Sequence, residues 1–511
     1  MLSISTFHTV CRKRTSFRWK APFTALPLFF LVASSSLVLL TGCSMGTTGG
    51  NNSASPTPTK TNATNTPPSP GESQTRITSL TATTAQINVL GFGFTPPSGQ
   101  LSFTDTTSDS PVAPTITLNT ATATTSLLTQ VTTSTGVNSL PVWTELDNLN
   151  GDGNLDLVTS VFGTDSINVQ LGNGNGTLGA ATSILIVPGF GPAEAHAVSL
   201  RGNGTLDLIV GSFNTNEIAV LLGNGNGTFQ PPVLYKVGTA VNTPTSLTVG
   251  DFNHDGNLDV ATANLGDNTV SILLGNGSGS LTPFGSPIAV GSGPKAIRVG
   301  DFNGDGYSDL AVANSQNGTV TILLNNQNGT FSSTNIAVGS APQGLAVTGS
   351  GTNLLLAVAN FGSNNVSVFQ SNNNGTFASP KLINVGRGPD DVNFADLNGD
   401  SIPDLAVANY TDGTVTLALG TAEGNYTVSG PTPVGNNPYS AALGDLNGDG
   451  TPDVVVSNCF SNNIGVLLSG TQISVPYSGL GLVPGDTLQA AYTPDGSSKY
   501  GASTSANVTA P

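Results

Sequence analysis

Past residue 75 the apolar positions fall into short runs separated by Gly, Asn, Asp, Ser and Pro. One stretch shows the grammar. TSLTV (245–249) precedes an acidic loop, and LDVATAN (258–264), TVSILLGN (269–276), a Gly/Asn/Ser turn and LTPFGSPIAV (281–290) follow it. Runs this short, rich in β-branched residues and bounded by turn formers, predict strands. Four of them per unit predict a four-stranded antiparallel sheet. A second punctuation recurs before the fourth strand, as GNGNGTL (172–178), GNGNGTF (223–229), GNGSGSL (275–281), NNQNGTF (325–331) and NNNGTF (372–377). Its glycines supply the positive φ that tight hairpins require.

The unit repeats. DFNHDGNLDVATAN starts at Asp251, DFNGDGYSDLAVAN at Asp301, DLNGDSIPDLAVAN at Asp396 and DLNGDGTPDVVVSN at Asp445. NLNGDGNLDLVTS from Asn148 is a weaker copy. SLRGNGTLDLIVG from Ser199 and VTGSGTNLLLAVAN from Val347 are decayed ones. Seven units spaced 46–52 residues apart have the length of propeller blades. A solenoid is the structural rival, but radial closure protects the edges of such sheets. The seventh unit stops after its third strand, IGVLLSG (464–470). A spare strand-like segment, TSLLTQVTTSTGV (125–137), precedes the first unit. The spare strand is expected to complete blade seven and clasp the ring.

The first 42 residues follow a different pattern. Arg12, Lys13, Arg14, Arg18 and Lys20 precede the apolar run APFTALPLFFLVASSSLVLL (21–40), and Leu40-Thr41-Gly42-Cys43 ends it. Basic residues, an apolar stretch and small residues before a cut site predict a secretory signal over 1–42. A run of this length could also span a bilayer. Residues 43–75 are Ser/Thr/Asn/Gly/Pro-rich and predict a disordered tether. The leader holds five of the 14 basic residues, leaving nine against 30 acids, a net of −21. That excess argues against nucleic acid, whose phosphates need Lys and Arg, and favours cations or uncharged partners. Cys11 leaves with the leader and Cys459 has no third cysteine beside Cys43 to pair with, so no disulfide framework is expected. Metal ions could staple the fold instead.

The acidic loops carry the chemistry. D-x-N-x-D-G-x-x-D places oxygen side chains at positions one, three, five and nine, with Gly at six for the turn. Calcium takes six to eight hard oxygens in forgiving geometry, whereas magnesium demands a strict octahedron, and no His or Cys favours zinc. Asp and Asn also make plain Asx turns, but four copies in phase point to calcium.

Three resemblances extend the reading. Leu40-Thr41-Gly42-Cys43 resembles the bacterial lipobox, which implies a lipid on the Cys43 thiol. With Ser44 following, it implies the outer membrane or cell surface after export. The repeats, over about 148–468, resemble the FG-GAP/VCBS type found in the integrin α propeller. That resemblance implies calcium in the loop between the first two strands of a blade. The ligands it implies are Asp251, Asn253, Asp255 and Asp259 in blade three, and Asp301, Asn303, Asp305 and Asp309 in blade four. In blade six they are Asp396, Asn398, Asp400 and Asp404, with Ser401 in place of Gly, and in blade seven Asp445, Asn447, Asp449 and Asp453. Blade one offers Asn148, Asn150, Asp152 and Asp156. Blade two has Arg201 at position three and blade five has Leu355 at position nine, so neither is expected to hold metal. Finally, the core P-x-G-x-L-x-F-x-D (97–105) resembles the opening half of a bacterial Ig-like repeat, and PGDTLQAAYTPDGSSKYGASTS resembles its closing half. The fold class expected is all-β: a seven-bladed propeller (125–470) inserted in an Ig-like sandwich (76–124 and 471–511). Two unrelated β extensions are the alternative.

No catalytic motif emerges. His196 and His254 alone survive leader removal, and no G-x-S-x-G elbow, Cys–His pair or zinc motif occurs. Asp390-Asp391 is the conspicuous acid pair, but neighbours on a strand point to opposite faces, which predicts a solvated pair. Trp143 is the mature chain's single Trp. Two function classes follow. One is a calcium-binding, lipid-anchored, monomeric surface propeller acting as a non-catalytic adhesion or recognition module for a glycan or protein. The other is an envelope polysaccharide hydrolase or lyase.

Overall fold

The computed structural model describes residues 72–510, except 82, 239–243 and 497. The leader, Cys43 and nearly all of the tether lie outside the described residues. Apart from four short 3-10 turns, the secondary structure described is β-strand.

Among the described residues, seven antiparallel sheets have innermost strands that abut in a closed ring. These strands are Pro141–Asp147, Pro192–Val198, Ser246–Gly250, Pro294–Gly300, Pro342–Thr348, Pro389–Ala395 and Pro438–Gly444. They define blades one to seven of a β-propeller. The second strands, such as Asp309–Asn314, are buried end to end. That explains the near-continuous apolar runs LDVATAN and SDLAVAN: these strands have protein on both faces, like the strands of a buried parallel sheet. Alanines at alternate positions keep the blades close, as with Ala311 and Ala313. The rim strands are largely exposed, for example Phe331–Ala337.

The Asn that ends each AVAN run is a latch. Asn314 is fully buried, and its Nδ2 donates to Thr319 Oγ1 (3.1 Å) and Thr321 Oγ1 (2.8 Å) on the third strand. Asn264, Asn360 and Asn409 repeat the pattern. Glycine must face each latch. A Cβ on Gly339 would lie 2.6 Å from the Asn360 amide carbon.

The ring closes as expected. Strand Thr124–Ser134 pairs antiparallel with the third strand of blade seven, in a register running from Ser134↔Asn463 to Thr124↔Gln472. That third strand, Asn463–Ser478, runs on for 16 residues. Its second half pairs with Thr84–Gly91, from Thr471↔Gly91 to Ser478↔Thr84.

The two chain flanks build one sandwich. Its first sheet holds Ser73–Leu80, Thr84–Gly91 and the end of the long strand. Its second holds Gly99–Asp105, Ser110–Thr117 and Thr487–Pro494, with Gly99 opposite Pro494. Ile87, Leu101 and Phe103 from one flank and Ile473, Leu488 and Tyr492 from the other share a core at 0–1 % exposure. Each such side chain contributes about 1.5–3 kcal/mol. The sandwich begins earlier than the composition suggests. Residues 73–75, expected in the tether, are strand, because Thr75 is buried and its hydroxyl meets Ser503 Oγ at 2.8 Å.

Candidate functional site

Each innermost strand runs from one face of the propeller to the other, so the loops that follow it all emerge on one face. Those are the acidic loops. In blade three, Asp251 accepts N–H bonds from Asp255 (3.1 Å) and Gly256 (2.9 Å). Asn253 Oδ1 accepts the Asp255 N–H at 3.0 Å, and its Nδ2 donates to Asp255 Oδ2 at 2.9 Å. Asp255 Oδ1 accepts the Asn257 N–H at 2.8 Å. Blade four repeats this with Asp301, Asn303 and Asp305, blade six with Asp396, Asn398 and Asp400, and blade seven with Asp445, Asn447 and Asp449. In blade one Asn148 accepts from Gly151, and Asn150 and Asp152 make the same contacts as their counterparts. Position six is left-handed throughout: φ is 86° at Gly256, 85° at Gly306 and 87° at Gly450, and Ser401 is held at 65°.

The ninth position is a clamp. Asp259 is fully buried and accepts from Phe252 N–H and Gly275 N–H, both at 2.8 Å. Asp156, Asp309, Asp404 and Asp453 do the same, each tying its loop to the end of the third strand. Burial outweighs these bonds and pushes Asp309 and Asp404 up to about 6. With oxygens turned to the loop backbone, no three His, Cys, Asp or Glu side chains converge among the described residues. The donor set is nonetheless all hard oxygen, gathered on one short loop with glycine-type turns at four and six, and it suits calcium. His254, at position four, is exposed and stacks on Tyr307 with centroids 4.6 Å apart.

Blade two shows what the clamp accepts. Arg201, at position three, turns inward. Its guanidinium donates to Asp207 Oδ1 (2.6 Å) and Oδ2 (3.2 Å) and to the Gly223 carbonyl (2.7 Å). In blade five Leu355 replaces the ninth Asp, and Gly351–Asn353 forms a 3-10 turn with no charge to balance.

The opposite face holds a cluster that the repeat pattern did not reveal. The innermost strands begin there, and six of the seven carry a register shift at their opening proline, as between Pro389 and Asp391 and between Pro342 and Gly344. A bulge breaks side-chain alternation. Consecutive residues therefore both reach the axis: Val142-Trp143, Ala193-Glu194, Lys295-Ala296, Gln343-Gly344 and Asp390-Asp391 line one axial cavity that opens to solvent. This corrects the reading of Asp390-Asp391 as solvated. Asp391 is 3 % exposed and accepts from the Val392 and Ala441 N–H groups and from Asn393 Nδ2. Asp390 is half-buried, and burial pushes it up to about 7 against the pull of Lys295.

Opposite charges meet within the cluster. Glu194 is buried and meets Arg298 at 2.8 Å and His196 Nε2 at 2.9 Å, while His196 Nδ1 meets Glu145 at 2.7 Å. Burial alone would lower His196, but Glu145 and Glu194 outweigh it and push the imidazole up to about 10. Arg298 lies over the Trp143 ring at 5.7 Å, and Lys295 over Phe213 at 5.2 Å. Aromatic rings from five blades, Phe162, Phe213, Tyr439, Tyr410 and Phe361, follow one another at 5.8–6.3 Å between centroids. Aligning the units on their opening prolines would have exposed this column of large or polar residues.

The match to known families is confined to the repeats. The model described as an FG-GAP-like repeat matches residues 148–210, 200–262, 258–312, 301–350, 347–407 and 396–456. No curated protein matches. Among solved structures, BBS1N in complex with ARL6DN is 17 % identical, with a TM-score of 0.48 over 67 % of this chain and 96 % of that one. A Lactobacillus plantarum protein is 14 % identical, with a TM-score of 0.46 over 67 % and 98 %. A functionally unknown protein from Desulfotomaculum acetoxidans is 11 % identical, with a TM-score of 0.44 over 70 % and 99 %.

Proposed function

The chain belongs to the FG-GAP-like repeat family, and from that premise we propose that it is a calcium-stapled, non-catalytic recognition propeller held at a bacterial surface by a lipid on Cys43. The observation that carries the calcium reading is blade two. There an arginine supplies positive charge to the buried ninth carboxylate, and it does so where the donors at positions one and five have decayed to Ser199 and Asn203. The loops that keep Asp or Asn at one, three and five have no such internal cation. In those loops the side chains of Asp251, Asn253 and Asp255 and their counterparts would hold calcium, with Asp259 and its counterparts using the lone pairs their N–H bonds leave free. The ion would neutralise each carboxylate set and tie the loop to its blade.

The non-catalytic reading is supported by the axial carboxylates of Glu194 and Asp391, which are committed to Arg298, His196 and backbone N–H groups. The flank sandwich carries the Ig-like signature residues, and we take it as a spacer between the anchor and the propeller. Cys43→Ser should abolish detergent partitioning of the full-length protein.

Ligand that binds only the folded state stabilises it by mass action. Chelation should lower the melting temperature of the full-length protein, and added calcium, but not magnesium, should restore it. A melting curve indifferent to both would overturn the calcium reading. Calcium-dependent retention on a glycan or protein array tests the recognition role.

A further inference from the structure

Gln343 lies at the start of blade five's innermost strand, lining the axial cavity. It is 4 % exposed, and neither its Nε2 nor its Oε1 has a hydrogen-bond partner. The Trp143 Nε1–H, on the same cavity, is likewise buried without an acceptor. A buried polar group left unpaired is costly, and native folds keep few of them. Two on one cavity, where consecutive residues are re-aimed inward by bulges, mark a place built for a ligand.

The chemistry of the site narrows the ligand. A carboxamide offers a donor and an acceptor side by side, and its complement is an amide or a pair of adjacent hydroxyls. The charged neighbours are already engaged: Glu194 is paired with Arg298 and His196, Asp391 accepts backbone N–H groups, and Asp390 lies within electrostatic reach of Lys295. An anion or a cation entering here would have to break one of those pairs and leave a buried charge uncompensated. Phe213, Tyr439 and Val142 add apolar wall, the usual complement to a few fixed polar groups. The cavity sits on the axis, ringed by innermost strands, so a long chain cannot lie across it and reach the floor. An end can.

We propose that the axial cavity binds the uncharged terminal pyranose of a glycan, with the Gln343 carboxamide as its hydrogen-bonding anchor and the Trp143 indole N–H as a second donor. This deepens the recognition reading above and rests on it. Sugar hydroxyls or an acetamido group satisfy the carboxamide, and the ring's apolar face meets Phe213 or Tyr439.

The test uses the full-length, calcium-loaded protein in detergent. Methyl glycosides of glucose, galactose, mannose, N-acetylglucosamine and N-acetylgalactosamine are titrated by calorimetry, with methyl glucuronide and methyl glucosaminide as charged counterparts. At least one neutral glycoside should bind saturably, and the charged ones at least tenfold more weakly. Gln343→Leu should weaken that binding at least tenfold while leaving the melting temperature unchanged or higher, because it removes an unpaired polar group. Gln343→Glu should weaken it too. Binding untouched by Gln343→Leu, preference for a charged glycoside or for an acetylated-lysine peptide, or no binding by the whole neutral panel would each overturn the axial site. If a calcium-dependent partner is then captured on the array regardless of Gln343→Leu, the recognition reading stands and only this site falls. If nothing is captured, both fall.

Discussion

The guanidinium of Arg201 donates to both carboxylate oxygens of Asp207, at 2.6 and 3.2 Å, inside a loop whose counterparts in other blades carry no Lys or Arg. Asp207 is fully buried. Removing one partner of a buried ion pair costs about 3–5 kcal/mol, because the other charge is left uncompensated. Arg201 keeps about a fifth of its side chain in solvent, so the lower end applies.

Arg201→Ala should therefore lower the urea midpoint by an amount equivalent to ~3 kcal/mol, in calcium and in chelator alike. Rebuilding the loop by Ser199→Asp, Arg201→Asn and Asn203→Asp should restore stability in calcium only. Equal midpoints of the rebuilt protein with and without chelator would refute the exchange of arginine for metal.

Ser401 occupies the left-handed position that glycine fills in the other acidic loops, at φ 65°. A residue with a Cβ is strained there by about 1–2 kcal/mol, and glycine's greater freedom in the unfolded chain offsets part of the relief. Ser401→Gly is expected to raise stability by about 0.5–1 kcal/mol, read as a higher urea midpoint. A lower midpoint would mean that the serine hydroxyl does something the loop geometry does not show.

Much of this architecture was legible in the sequence. The repeat period fixed the sheets, and the missing fourth strand of the last unit pointed to the Thr124–Ser134 clasp. The acidic nonapeptides gave the loops. The axial cluster was not legible, and the reason is local. Alternation places Asp390 and Asp391 on opposite faces of a strand, and only the bulge at Pro389 turns both inward. Each blade adds one or two axial residues, so no contiguous motif forms. The Asn314 latch was visible as a recurring letter whose role needed the buried Thr321 opposite it. Arg201 could be read as excluding metal, but not as the partner of the buried Asp207.

His196 gives a pH dependence with a definite sign. Glu145 and Glu194 face it directly, and Arg298 and Asp147 lie within electrostatic reach of the same group. Its folded pKa is raised from 6.5 to about 10. A raised basic group favours the folded state fully below its unfolded pKa, and that contribution is lost as pH climbs through the folded value. Stability should thus decline between about pH 6.5 and 10, and His196→Gln should flatten that decline at a cost of ~3 kcal/mol at pH 6. Urea midpoints of both proteins from pH 6 to 10 check this, and parallel curves would show that His196 does not titrate in that window.

The last expectation concerns the clasp that closes the ring. Ser134 and Asn463 stand directly opposite each other in an antiparallel pair, 329 positions apart in the chain. Opposed residues in such a pair have Cα atoms about 4.5–5.5 Å apart, within the range a disulfide spans. Ser134→Cys with Asn463→Cys should cross-link on mild oxidation. Cys459 is fully buried and should not compete. Closing so long a loop removes entropy from the unfolded chain worth about 6 kcal/mol at most, with native-state strain subtracting from it. The oxidised protein should therefore unfold at higher urea than its reduced form. The cross-link also locks blade seven to the strand that enters the sandwich, so the propeller and the sandwich should melt together. A cross-link that fails to form under oxidation, while both single-cysteine variants remain folded, would show that the clasp strand does not lie against blade seven in solution.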